Sequence, residues 1–211
     1  MSYYPIFLDL AGRRCIVIGG GAVAERKIQG LLAAGAEITV VSPEISEELR
    51  RLLAQRSLTH LPRKYQHGDL AGYALAVVAT EDRAAAAAVF SEGHAAGIWV
   101  NCADDPSCCD FILPAVIRRG ELAVAISSGG ASPAAARATR EELETYLTQE
   151  LAQLVQTASE VRADLRQRSI RATPESWNKA LKGEFRRLLR QGKAAKAKQL
   201  LLAQLEDKPC D

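Results

Sequence analysis

Residues 15–27, CIVIGGGAVAERK, set three glycines between a short apolar run and a segment of helical periodicity. The pattern Gly19-x-Gly21-x-x-Ala24 suits a pyrophosphate. Gly19 permits a tight turn, Gly21 lets the backbone approach the anion, and Ala24 lets helix and strand pack closely. The N–H groups of Ala22 and Val23 then point outward from a helix N-terminus, where backbone dipoles favour negative charge. A glycine pattern alone is weak, but here the preceding strand and following helix supply the context the motif requires.

In such sites an acid about 20 residues further on reads the adenosine ribose. The sequence there is Val41-Ser42-Pro43-Glu44; Glu44 is the nearest acid, slightly late, and no arginine stands beside it to hold a ribose phosphate. This favours NAD over NADP. Glu44 reads equally well as a solvated acid in the first turn of the next helix. A second candidate for chemistry is Asp104, in Asn101-Cys102-Ala103-Asp104-Asp105-Pro106. It falls just past a parallel strand, at the sheet edge where ligands bind, and a carboxylate beside a nicotinamide can take or relay a proton. The same residues would equally build a turn before proline.

The elements that must position these residues alternate strand and helix. Cys15–Ile18, Ile38–Val41, 58–62, Leu75–Ala79 and Ile98–Val100 read as strands, and 22–34, 44–54 and 84–95 as helices, with Gly35 ending the first helix. Alternation of this kind implies a parallel sheet covered on both faces. After Pro114 the pattern changes. Ala115–Ile117 and Leu122–Ile126 form a hairpin candidate around a turn at 118–121, and Ser132-Pro133 opens a helix with a serine cap and proline at its first position. Apolar spacing lets that helix run on through Leu151, Leu154, Val155, Ala158, Val161 and Leu165. Thr173-Pro174 starts another, with Trp177, Leu181, Phe185, Leu188 and Leu189 on one face. The predicted organisation is 1–113, 114–148 and 149–211.

Composition agrees with an ordinary folded chain: 211 residues, 48% apolar, 25% charged, net charge +2. That charge demands neither nucleic acid nor a membrane, and no apolar run is long enough to span a bilayer. Residues 179–198 carry eight basic residues against one acidic; a solvated helix face accounts for them without a nucleic-acid partner. Five cysteines (Cys15, Cys102, Cys108, Cys109, Cys210) and no recognisable secretion signal point to free thiols in the cytoplasm. With His60, His67 and His94 they form no metal-ligand spacing, so no metal site is expected.

Taken together, YPIFLDL, VIGGGAVAERK, VVSPE, VVATED, NCADDP, CDFILPA, VAISSGGASPAAAR and REELE, in that order over residues 3–145, resemble the precorrin-2 dehydrogenase family. The family includes the corresponding part of sirohaem synthase; the tail matches only loosely, in its position and Trp177. The resemblance implies an α/β, Rossmann-like NAD-binding domain, a small central dimerisation segment and a C-terminal helical domain. It implies oxidation of precorrin-2 to sirohydrochlorin with NAD, in a cytoplasmic homodimer. It places the essential aspartate on Asp104 as general base. The candidate cofactor contacts are Gly19, Gly21, Ala22, Val23, Ser42, Pro43, Glu44 and Thr80, of which the resemblance carries Ala22, Val23, Pro43 and Glu44. The candidate substrate contacts are Asn101, Ser127, Ser128 and Arg137, of which the resemblance carries Ser128.

The implied substrate is a tetrapyrrole with many carboxylates. The serine-glycine loop at 127–130 precedes a helix N-terminus, which suits a carboxylate, although a plain strand-to-helix turn has the same composition. Arg118, Arg119, Arg137 and Arg140 carry forks that match carboxylates, and each also reads as a surface charge. Some family members also insert iron into sirohydrochlorin, and the sequence leaves one activity or two open. Methylation of uroporphyrinogen is not expected, since the large methyltransferase domain of the fused enzyme has no counterpart here. A competing reading is a dimeric module that senses NAD without chemistry; the Asp104 turn followed by SSGGASP argues against it.

Overall fold

The computed structural model describes residues 3–103 and 105–206. Seven strands and eight helices are seen among them: β1 Arg14–Ile18, α1 Ala22–Ala33, β2 Glu37–Val41, α2 Glu47–Ala54, β3 Thr59–Leu61, β4 Leu75–Val78, α3 Arg83–Ala96, β5 Trp99–Cys102, β6 Ala115–Arg119, β7 Leu122–Ile126, α4 Pro133–Tyr146, α5 Gln149–Gln167, α6 Pro174–Ala180, α7 Glu184–Arg190 and α8 Ala194–Glu206. The chain divides into two compact units at Leu113–Pro114. No helix among the described residues is long and apolar enough to cross a membrane.

The first unit is a five-stranded parallel sheet in the order β3-β2-β1-β4-β5. In its central strands Cys15–Ile18 of β1 and Leu75–Val78 of β4 are continuous buried apolar runs, because both faces are covered. Successive residues of β1 serve opposite cores. Cys15 and Val17 pack with Ala24, Ile28 and Leu49 from α1 and α2; Ile16 and Ile18 pack with Leu70, Val89 and Val100 on the α3 side. The chain reverses direction across the sheet between β1 and β4, the switch point at which the strand carboxyl ends open a crevice.

Capping explains the helix limits. Past α1, the Gly35 N–H (φ 75°) donates to the Leu32 carbonyl and the Ala36 N–H to that of Leu31, the bond pair of a Schellman motif. The helix expected from Glu44 begins at Glu47 instead, because Ser46 caps it with Oγ accepting the Leu49 N–H at 3.3 Å. Glu44 therefore lies in the turn before α2 and not in its first turn. Likewise β5 does not stop at Val100: Asn101 and Cys102 pair with Val77 and Val78 of β4.

The second unit pairs β6 and β7 as an antiparallel hairpin. Gly120, at φ 58°, takes the first position of a two-residue turn where a positive φ is needed. Arg118 and Arg119 belong to β6 rather than to the turn. Ser132 caps α4, accepting the Ala135 N–H at 3.2 Å. The single long helix suggested by apolar spacing breaks at Leu147–Thr148, where Thr148 is extended and opens α5. The expected helix after Thr173 is also divided, at Gly183 (φ 57°), into α6 and α7. At Gly183 periodicity continues across the break because α6 and α7 face one core. That core gathers Val161, Leu165, Phe185, Leu189, Leu201 and Leu205.

Candidate functional site

The glycine turn joins β1 to α1 at the switch point, and each glycine has its own reason. Gly19 has φ 121°, and a Cβ there would stand 2.1 Å from the Ala79 carbonyl oxygen, at the end of β4. A Cβ on Gly20 would meet the Glu44 carbonyl oxygen at 2.1 Å and Ser42 Oγ at 2.9 Å. The pattern did not single out Gly20, yet it lets the β2–α2 turn approach; the Ser46 N–H also donates to its carbonyl at 2.9 Å. Gly21 differs: a Cβ there would meet nothing within 4 Å. It is the N-cap of α1, in extended backbone and with no side-chain cap. The first N–H groups of α1, including those of Ala22 and Val23, thus face an open approach, an arrangement that accepts a pyrophosphate.

The β2–α2 turn is built from its own atoms. Ser42 Oγ donates to the Glu44 carbonyl at 2.6 Å, and His60 Nε2 lies 2.8 Å from the Ser42 carbonyl oxygen. Pro43 and Glu44 are exposed beside this turn. Thr80 follows β4, and its Oγ1 accepts the Asp82 N–H at 3.3 Å. Gly19, Gly21, Ala22, Val23, Ser42, Pro43, Glu44 and Thr80 all follow β1, β2 or β4, at the carboxyl edge of the sheet.

The fifth strand ends in a braced turn. The Ala103 N–H donates to the Val78 carbonyl at 2.9 Å. Asp110 returns along the strand, with Oδ2 accepting the Val100 N–H at 2.8 Å. Asn101 is buried; its Nδ2 donates to the Phe111 carbonyl at 2.9 Å and its Oδ1 accepts from Lys27 Nζ at 3.4 Å. Its amide is committed to the chain on both sides. Cys109 Sγ accepts the Cys102 N–H at 3.2 Å. Burial, helped by the neighbouring Cys109, Cys108 and Asp105, pushes the Cys102 thiol up to about 12, so it is an inert apolar group. Asp105 caps a 3₁₀ turn, its Oδ1 accepting from the Ser107 N–H at 2.9 Å and hydroxyl at 2.5 Å; these bonds hold its carboxyl below the usual range. Asp105 is thus a turn former. Asp104 lies outside the described residues. Beside this turn, Val23, Arg26, Lys27 and Ala103 line a hollow of about 280 Å³.

In the second unit Ser128 Oγ accepts the Ser132 N–H at 2.9 Å and donates to the Ser132 carbonyl at 2.9 Å, closing the loop ahead of α4. Ser127 Oγ accepts the Gly129 N–H at 3.1 Å. The four arginines divide. Arg119 bonds Glu144 and the Leu147 carbonyl, and Arg140 bonds Glu144 and Glu141. Arg118 and Arg137 are exposed. Half of the basic residues in 179–198 are ion-paired among the described residues: Arg186 and Arg190 both hold Glu150, Arg187 pairs with Glu184, and Lys198 lies 3.2 Å from Glu160 and from Asp164.

Residues 6–115 match the family described as "Putative NAD(P)-binding", and residues 119–146 match "Sirohaem biosynthesis protein central". Siroheme synthase of Nitrosococcus oceani is 38% identical over 208 residues, 98% of this chain and 44% of that protein. Siroheme synthase of Methylococcus capsulatus is 42% identical over 209 residues, 96% of this chain and 43% of that protein. The chain thus spans less than half the length of these relatives. Among solved structures, SirC, precorrin-2 dehydrogenase, superposes with a TM-score of 0.73 at 30% identity, covering 98% of this chain and 100% of that one. A parallel sheet with a glycine turn open at its switch point, a sirohaem-biosynthesis central segment and a likeness to SirC over that protein's whole length place this chain in the precorrin-2 dehydrogenase family.

Proposed function

We propose that the chain oxidises precorrin-2 to sirohydrochlorin, with NAD as electron acceptor, in sirohaem biosynthesis. The observation that carries this reading is the open Gly21 approach at the β1–β4 switch point of a chain that covers the whole of SirC. Gly21, Ala22 and Val23 would hold the pyrophosphate of NAD through backbone N–H groups. Ser42, Pro43, Glu44 and Thr80 would flank the rest of the dinucleotide. When bound, NAD supplies a two-electron acceptor that takes up one hydride. The proton lost with it from precorrin-2 passes to a base, the role assigned to Asp104. Asn101 positions the strand end that leads to Asp104. Ser127, Ser128 and Arg137 are assigned to the substrate's carboxylates.

The reading includes a cytoplasmic homodimer, with 1–113 binding NAD, 114–148 joining two copies and 149–211 forming a helical domain. Its support is the apolar surface of the hairpin and α4: Val116 is 38% exposed, Leu143 36% and Tyr146 68%. Free thiols at Cys15, Cys102, Cys108 and Cys109 fit a reducing compartment.

The test is anaerobic turnover of precorrin-2 with NAD, followed by absorbance, in the wild type beside Asp104→Ala. Sirohydrochlorin formed only with NAD, and lost by a factor of about 10² to 10⁴ in the variant with NAD affinity retained, supports the reading. NAD binding without turnover in the wild type overturns it in favour of an NAD-sensing module.

A further inference from the structure

We infer that Arg26 and Lys27 form a carboxylate subsite for the tetrapyrrole, on the side of α1 that faces the fifth-strand turn. The inference rests on the proposed dehydrogenase reading and adds to it a place for one of the substrate's peripheral carboxylates.

Helical spacing provides the first reason. Val23, Arg26 and Lys27 stand at i, i+3 and i+4, so they share a face of α1. That face is distinct from the one that buries Ala24 and Ile28 against the sheet. The same three residues and Ala103 line the hollow beside the end of β5. Two cations therefore border one concavity whose far wall is Ala103, just past the end of β5.

The surroundings make this a receptor for an anion. Arg26 is exposed and has no ion pair or hydrogen bond among the described residues. Its planar fork can engage both oxygens of a carboxylate. Lys27 is half-buried; its ammonium reaches the amide oxygen of Asn101, and its charge also acts on the Cys109 thiol. Asn101 is in turn bonded to the Phe111 carbonyl. The ammonium is thus anchored to the braced end of β5 rather than swinging in solvent, which spares part of the entropy of fixing a long side chain.

The hollow runs along the first turn of α1, beside the N–H groups assigned to pyrophosphate. Val23 belongs to both: its N–H serves the anion at the helix end, and its side chain forms the rim of the hollow. The nucleotide and the carboxylate can therefore be bound side by side. This would orient the reacting ring at the end of β5.

The experiment titrates two ligands separately into wild type, Arg26→Gln, Arg26→Lys and the control Arg50→Gln, whose arginine makes only an exposed pair with Glu47 on α2. Sirohydrochlorin is followed by absorbance without NAD, and NAD is followed by calorimetry without tetrapyrrole. The expected result is sirohydrochlorin binding about tenfold weaker in Arg26→Gln, partly restored in Arg26→Lys, unchanged in Arg50→Gln and with a shallower salt dependence than wild type, while NAD affinity stays the same. Weaker NAD binding with unaltered sirohydrochlorin binding would overturn the inference by giving the hollow to the nucleotide. Unaltered binding of both would overturn it by showing a surface charge. A wild type that binds NAD but no sirohydrochlorin would remove the dehydrogenase reading itself, and the subsite with it.

Discussion

Strands β4 and β7 have nearly the same composition, LAVV and LAVAI, and opposite fates. Every residue of β4 is buried, between strands on both sides and helices on both faces. No residue of β7 is buried; it pairs only with β6, while α4 buries none of its own side chains. An apolar run thus reports a demand for cover, and the surrounding chain decides whether that demand is met internally. A hairpin of two strands is marginal alone. The exposed apolar side chains of Val116, Leu143 and Tyr146 are the ground for proposing a second copy in this region.

The contrast can be tested from its strongest contacts downward. Phe185→Ala in the helical core should cost about 3–5 kcal/mol, because that ring is fully buried. Denaturant titration followed by helical circular dichroism would measure it, and a loss under about 1 kcal/mol would show that the helical core repacks freely. Gly20→Ala should cost about 1–3 kcal/mol and weaken NAD binding, since the added methyl must push the Glu44 carbonyl aside. Gly21→Ala, in open space, should leave stability nearly unaltered while obstructing the dinucleotide. Equal destabilisation by the two would contradict the division between a packing glycine and an approach glycine.

Glu92→Gln should cost about 1–3 kcal/mol near neutral pH. Glu92 is buried, which by itself would raise its carboxyl. Its bonds from Tyr65, the Gly68 N–H and the Leu70 N–H, with His67 nearby, outweigh burial and hold it below its ordinary value. Its stabilisation is therefore complete above the unfolded value of about 4.3 and is lost as the pH falls through the lower folded value. Melting temperatures of wild type and Glu92→Gln should converge in acid; a constant gap would refute the linkage. The smallest effect on a lone protomer should come from Val116→Asp, within about 0.5 kcal/mol, because that side chain already meets solvent. Yet light scattering should show the wild-type dimer falling to half its mass. A wild type that is monomeric at every concentration would remove the second copy from the proposal.

Much of the first unit was legible because a doubly covered strand writes a continuous apolar run, and a glycine turn between strand and helix writes its own spacing. Helix limits were less legible. Ser46 is an ordinary polar residue until the backbone turns it into a cap, and apolar spacing crosses Leu147–Thr148 and Gly183 without interruption. The site was read by its backbone features and missed in its side-chain partners. Gly20 matters through an approach from a segment two dozen residues away, and Arg26 and Lys27 become neighbours of Ala103 only through the strand order. The fate of the arginines was equally hidden: Arg119 and Arg140 converge on Glu144, which nothing in their spacing from one another announces.

The long crossover from β3 to β4 has almost no regular structure, yet it is pinned at several points. Arg63 grips Asp69 with both nitrogens, at 2.7 and 2.6 Å, and Asp69 accepts the Gln66 N–H at 2.9 Å. Glu92 of α3 accepts the Gly68 and Leu70 amides. In deuterated solvent those two loop amides should exchange more slowly than those of an unpinned surface loop, because both are held by a buried carboxylate. A protease that cleaves exposed loops should likewise pass over this one, since side chains pin a segment that has almost no regular structure.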